Sequence, residues 1–237
     1  MKNKLEAEEV IKLKLVQDTE KDQMDGKKEA AIYGLAGGMC FDFNPFKEHL
    51  FLVGTEEGMI HLCSKAYSGQ YQETFKDHNL AVYAVKWNPF HEDVFLSCSA
   101  DWTIKMWHLS MPKRPIVTFD LDNEIGDIAW APYSSTIFAA VTSTATEGRL
   151  YIYDLNQDKH CELSCMPTTK KSKALHVAFN PCGPYILVGD SRGGCTAFKL
   201  PNSLYGGPLQ PNPDLDEHKG KTAIDLEKAK MDKYLST

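Results

Sequence analysis

Apolar and polar positions alternate in short runs along most of the chain, and the runs repeat. Four times an aromatic, a small residue and proline stand together: Phe43-Asn44-Pro45, Trp87-Asn88-Pro89, Trp130-Ala131-Pro132 and Phe179-Asn180-Pro181. The prolines lie 44, 43 and 49 residues apart. Each triplet closes an alternating segment (Phe41/Phe43, Val85/Trp87, Ile128/Trp130, Val177/Phe179) and precedes a compact apolar run (Leu50–Val53, Val94–Leu96, Ile137–Val141, Tyr185–Val188). A turn follows, at Glu56-Glu57-Gly58, Ala100-Asp101-Trp102, Glu147-Gly148 and Asp190-Ser191-Arg192-Gly193-Gly194. A third alternating segment comes next (Ile60/Leu62, Ile104/Met106, Leu150/Ile152, Thr196/Phe198). In three units a more polar fourth segment completes the pattern: Tyr71–Phe75, Ile116–Phe119 and Cys161–Ser164.

Period-2 alternation predicts strands, and joints containing glycine or aspartate predict hairpins. Four antiparallel strands in about 40–45 residues is the size of one β-propeller blade. The expected fold is therefore all-β: a propeller of about four blades, an incomplete ring, with the fourth strand of each blade on the wet outer edge. Residues 36–200 hold the four blades. Residues 1–16, with Val10-Ile11-Lys12-Leu13-Lys14-Leu15, are expected to be the outer strand of a preceding blade, and 17–35 a charged loop. Four blades are fewer than the usual six or seven, and open blade edges expose unpaired strand groups, so the chain is expected to be part of something larger.

Prolines 201, 208, 211 and 213 mark a linker over 201–221. Beyond it, 222–237 is expected to be a short helix. Thr222-Ala223-Ile224-Asp225 resembles a capping box with aspartate in the last place. Ala223, Ile224, Leu226, Met231, Tyr234 and Leu235 share about half of a helical wheel. Such a helix either docks on a partner or packs on its own blade.

Composition narrows the function classes. Of 237 residues 43% are hydrophobic and 24% charged, which is globular composition. The net charge of -6 argues against a nucleic-acid module. No apolar run approaches the roughly 20 residues of a membrane helix, and the charged start does not resemble a signal peptide. Seven cysteines, at 40, 63, 98, 161, 165, 182 and 195, are read as reduced thiols of an intracellular protein.

Catalytic and metal motifs are absent. Gly34-Leu35-Ala36-Gly37-Gly38 lacks the phosphate-loop lysine and opens a β-segment. His160, Cys161 and Cys165 lack zinc-site spacing. Asp190-Ser191 with His176 is no nucleophile elbow. Lys170-Lys171-Ser172-Lys173 reads as a solvated basic loop. No catalytic residue, cofactor or metal is expected.

The second unit, His78 to Trp107, resembles a WD40 repeat. In that family's pattern His78, Ser97 or Ser99, Asp101 and Trp107 match a buried hydrogen-bonding set. The third unit ends Tyr153-Asp154, and the first and fourth match in apolar pattern alone. Phe51–Gly58, Ser99–Trp107 and Gly126–Ser135 further resemble the carboxy-terminal WD repeats of axonemal dynein intermediate chains, the outer-arm type most of all. The resemblance spans roughly residues 36 to 200. It implies a non-catalytic scaffold in a ciliary or flagellar dynein arm. Dynein heavy chain, a second intermediate chain and other arm subunits would be its partners, with indirect association to microtubules and no nucleic acid or membrane. It implies residence in the cytoplasm and in the axonemal cytoskeleton. The family's geometry sends Ala81, Tyr83 and Trp102 to one rim, with Met39, Glu124, Lys173 and Leu175 at equivalent positions. Trp102 is either an interface anchor or packing against the next blade. The alternatives are another WD40 adaptor, such as a cytoplasmic dynein intermediate chain or a ubiquitin-ligase receptor, and a propeller enzyme.

Overall fold

The structure is a computed structural model that describes residues 12–13, 35–67, 70–144, 147–205 and 223–236. It contains fifteen strands in four antiparallel sheets and one helix among the described residues. The first sheet comprises β1 (Gly38–Phe43), β2 (Leu50–Thr55), β3 (Met59–Ser64) and β4 (Glu73–Lys76). The second comprises β5 (Val82–Trp87), β6 (Val94–Ser99), β7 (Thr103–His108) and β8 (Val117–Asp120). The third comprises β9 (Glu124–Trp130), β10 (Ile137–Ser143), β11 (Glu147–Asp154) and β12 (Ser164–Lys170). The fourth has three strands, β13 (Ala174–Phe179), β14 (Tyr185–Asp190) and β15 (Cys195–Lys199). Each sheet is ordered as in the sequence, and the first strands of successive sheets lie side by side. This is the meander blade of a β-propeller, four times over.

Burial peaks in the second strand of each of the first three blades. Every residue of β2, β6 and β10 is buried, whereas β4 and β8 bury only Phe75 and Phe119. Three apolar seams result. Leu52, Ile60 and Phe75 of blade one meet Val85, Phe95 and Trp107 of blade two. Phe119 of blade two meets Phe138 and Tyr153 of blade three, whose rings stack at 4.7 Å. Ala139, Val141 and Ile152 meet Val177, Ile186 and Val188 across the third seam.

The aromatic-x-Pro triplet acts at these seams. The indole N–H of Trp87 donates to the Asp42 carbonyl at 3.3 Å, and that of Trp130 to the Lys86 carbonyl at 3.1 Å. Asn44 and Asn88 each accept two backbone N–H groups at their own loop through Oδ1. Their Nδ2 groups donate across the seam, to the carbonyls of Glu92 and Ser135, both at 2.8 Å. One asparagine thus satisfies a tight turn and the next blade's loop together.

Three expectations are corrected. The outer strand of the third blade is Ser164–Lys170, not Cys161–Ser164. It is an edge strand with Pro167 inside it, opposite a bulge at Gly148/Arg149, so no clean alternation marks it. Lys170 therefore ends a strand, and only the residues after it form the loop. The segment after Leu200 does not begin as a free linker. Leu204 is buried in the third seam, and the Tyr205 ring meets Tyr133 edge-on at 5.1 Å. The helix α1 (Ala223–Leu235) packs on its own blades with only part of the expected face: Met231 and Tyr234 turn inward together with Glu227, while Ile224 and Leu226 stay exposed. The expected strand and charged loop before residue 36 lie outside the described residues apart from Lys12, Leu13 and Leu35, as do Thr222 and residues 206–221.

Candidate protein-docking rim

The N-terminal end of each inner strand pairs with the C-terminal end of its blade's second strand: Gly38 with Thr55, Val82 with Ser99, Glu124 with Ser143, and Ala174 with Asp190. These ends and the turns after the second strands form one rim. Its second blade is braced from beneath. Trp107 Nε1–H donates to Ser97 Oγ at 2.8 Å, and that hydroxyl lies 2.7 Å from His78 Nε2. An indole only donates, so in the neutral ring the hydroxyl proton goes to Nε2 and Nδ1–H faces the Asp101 carboxylate at 2.9 Å. Asp101 also accepts from the Asn79 N–H, the Thr103 N–H and the Thr103 hydroxyl. Burial alone would raise the Asp101 carboxyl, but the hydrogen bonds from His78 and Thr103 and the attraction of the imidazole hold it well below the usual carboxylate range. Ser97, not Ser99, joins the histidine to the indole. Ser99 Oγ instead donates to the Leu80 carbonyl and accepts the Asp101 N–H, closing the turn.

That turn presents Trp102. Its N–H donates to the Ser99 carbonyl, as Gly58 donates to Thr55 and Gly193 to Asp190 in blades one and four. All three have positive φ: 86° at Gly58, 83° at Gly193 and 68° at Trp102. The position suits glycine, which alone enters the left-handed region without cost. At Gly58 a Cβ would also fall 2.6 Å from the His78 carbonyl oxygen. In blade two a tryptophan occupies this position with half of its surface exposed.

Tyr83, Trp102 and Glu124 line one cleft of about 390 Å³ between blades two and three, together with Ala100, Asp122, Asn123, Ser143 and Thr144. Sequence reasoning did not single out the last five. Met39 on blade one and Leu175 on blade four are exposed on the same rim outside this cleft. Ala81 is half-buried, its carbonyl accepting the Ala100 N–H. Lys173 reaches across the third seam to Glu124 at 2.7 Å, an exposed pair of small energetic weight.

Other candidates sit elsewhere. Asp190 is a turn residue that accepts the N–H groups of Arg192 and Gly194, and His176 faces Asp127 at 3.5 Å instead. Cys161 and Cys165 are exposed free thiols. No group of three or more potential metal ligands occurs among the described residues, and none of their helices is long and apolar enough to cross a membrane.

Residues 69–108, which run from the outer strand of blade one through the first three strands of blade two, match the family "WD domain, G-beta repeat". The chain is 44% identical over its whole length to a ciliary dynein intermediate chain 2 of Heliocidaris crassispina and to a dynein axonemal intermediate chain 1 of Bos taurus. It is 41% identical over 98% of its length to the 78 kDa intermediate chain of the flagellar outer arm of Chlamydomonas reinhardtii. The chain belongs to the axonemal dynein intermediate chains. It spans 32% of the length of each of these relatives, matching their carboxy-terminal part. Among solved structures, the computationally designed Ika8 protein superposes with a TM-score of 0.55 at 15% identity, over 69% of this chain and 46% of that one, which speaks for the fold alone. The relatives named here are ciliary, flagellar or axonemal, so the family is one of the axonemal cytoskeleton.

Proposed function

We propose that the chain is a non-catalytic scaffold of an axonemal dynein arm, whose propeller rim holds the dynein heavy chain and supports arm assembly and ciliary motility. The same reading makes a second intermediate chain and other arm subunits its neighbours, and makes its association with microtubules indirect. Family membership supports a dynein role. The observation that carries the rim is Trp102: a large aromatic, half exposed, in a backbone conformation that blades one and four give to glycine. Strain at an exposed side chain is the mark of a position kept for contact rather than for packing. The buried chain from Trp107 to Asp101 fixes the turn, so the ring is presented rigidly, and little ordering entropy is lost on docking.

The test is co-sedimentation with heavy chain, using Trp102→Ala and Tyr83→Ala placed in the full-length intermediate chain. An anchor of this type is worth about 2 kcal/mol or more, so affinity should fall about thirtyfold while circular dichroism stays β-rich. Wild-type affinity in the double variant would overturn the assignment of the rim.

A further inference from the structure

The chemistry of the cleft between blades two and three specifies its occupant more narrowly than an exposed aromatic does. Two rings, Tyr83 and Trp102, line it from blade two. Two carboxylates, Asp122 and Glu124, line it from the loop and strand that open blade three. Asn123, Ser143 and Thr144 add polar groups, and no lysine, arginine or histidine is among its lining residues. Lys173, an exposed side chain on blade four, pairs with Glu124 at 2.7 Å, so an incoming cation competes with it for that carboxylate. Trp102 and Asp122 are two of the three non-glycine residues with positive φ among those described, at 68° and 54°, so both walls of the cleft carry a strained backbone position. The Trp102 carbonyl accepts the Leu121 N–H at 3.2 Å, which ties the two walls together.

We propose that this cleft is an arginine pocket: it takes the guanidinium of an arginine carried on an extended segment of a partner protein. A planar cation stacks on an aromatic face and forks onto carboxylates, which a compact ammonium does less well. The volume of about 390 Å³ suits one long side chain with its flanking backbone. The inference rests on the rim reading above and adds the chemistry of what the rim grips.

The probe is a short glycine–serine peptide with one central arginine, together with its lysine and glutamine counterparts, titrated into the whole chain. Binding is followed at the indole N–H resonance of Trp102, assigned by its loss in Trp102→Gly. The arginine peptide should shift that resonance saturably, the lysine peptide should bind several-fold more weakly, and the glutamine peptide should leave it unmoved. Asp122→Asn with Glu124→Gln, which keeps side-chain shape and removes charge, should weaken the arginine peptide at least tenfold. Trp102→Gly, in which binding is read by titration calorimetry because the reporting resonance is gone, should weaken it as well while melting at the same temperature or higher, because glycine relieves the positive φ. Equal response to the arginine and glutamine peptides, or no loss in the charge-removed variant, would overturn the pocket. Heavy-chain co-sedimentation of the charge-removed variant separates the two readings. Arginine binding lost with heavy chain retained removes the heavy chain from this cleft but keeps the pocket. Heavy chain lost in the Trp102 variant without any arginine binding keeps the rim and sinks the pocket.

Discussion

Asp101 shows how much of this propeller hangs on single polar residues. Its side chain is 9% exposed and accepts from His78, Asn79 and Thr103. Its folded pKa lies below the ordinary 3.8. The stability it contributes is therefore complete above the unfolded value and is lost as pH falls through the lower folded value. Melting temperature should decline below about pH 4 in the natural chain, and Asp101→Asn should flatten that part of the curve. At neutral pH the same substitution should cost about 1–3 kcal/mol, since one of the two acceptor oxygens becomes an amide donor facing buried donors. An unchanged melting profile from pH 7 to 2 would contradict this account of the brace. The quartet was legible through the resemblance of the second unit to a WD40 repeat, and its four residue types can satisfy one another. The choice between Ser97 and Ser99 was not, since only the pleat decides which hydroxyl faces the imidazole. The left-handed turn could have been read by aligning Gly58 and Gly193 with Trp102; the signal lay in comparing blades rather than in any one of them.

The helix α1 shows where residue patterns mislead. It lies against the loops that join the first and second strands of blades two and three, with Met231 fully buried and Tyr234 nearly so. Glu227 lies one turn before Met231 on the same face and accepts from the Ser135 backbone N–H at 2.9 Å and from its hydroxyl at 3.2 Å, with Lys230 paired to its other oxygen. Asp232 and Lys228 reach His91 and Glu92 of blade two. A wheel drawn on apolar residues counts Ile224 and Leu226 and passes over a buried carboxylate, so the inward face is displaced. Positions 227, 231 and 234 follow the i, i+4, i+7 spacing once the glutamate is admitted. Met231→Ala should cost about 2–5 kcal/mol if the helix unfolds with the blades. Hydrogen exchange distinguishes that outcome from local undocking, in which protection would be lost in α1 alone and the global melt would stay in place. The outer strand of blade three was hidden for a related reason: with both faces wet and a proline within it, Ser164–Lys170 carries no period for the eye to find.

At the scale of the whole molecule the seams and the free faces are unequal. The first two internal seams are closed by aromatic packing and by the asparagine and indole hydrogen bonds, which recur because the triplet recurs; the third, where Ala131 and Phe179 stand in the triplet positions, is closed mainly by aliphatic packing. That repetition made the blade count and the four sheets readable from the chain. What spacing could not reveal was the function of the triplet, because its partners stand about 45 residues away in the next blade. The outward faces of blades one and four have no such closure among the described residues. Phe41 and Phe43 are 68% and 50% exposed on the first, and Tyr185 and Leu187 are each 42% exposed on the fourth. Large apolar side chains lined up on sheet faces drive association. In isolation the chain should therefore self-associate through these faces, with a sedimentation coefficient that rises with concentration. Phe41→Ser with Leu187→Ser should shift that curve toward the monomer. Neither residue belongs to a buried seam, so the melting temperature should change little. The rim variants Trp102→Ala and Tyr83→Ala should leave self-association where it was, because they lie at the ends of the strands rather than on these faces. A natural chain that sediments as a monomer at every concentration would show that the exposed faces are energetically indifferent, and the pairing expected of them would be wrong.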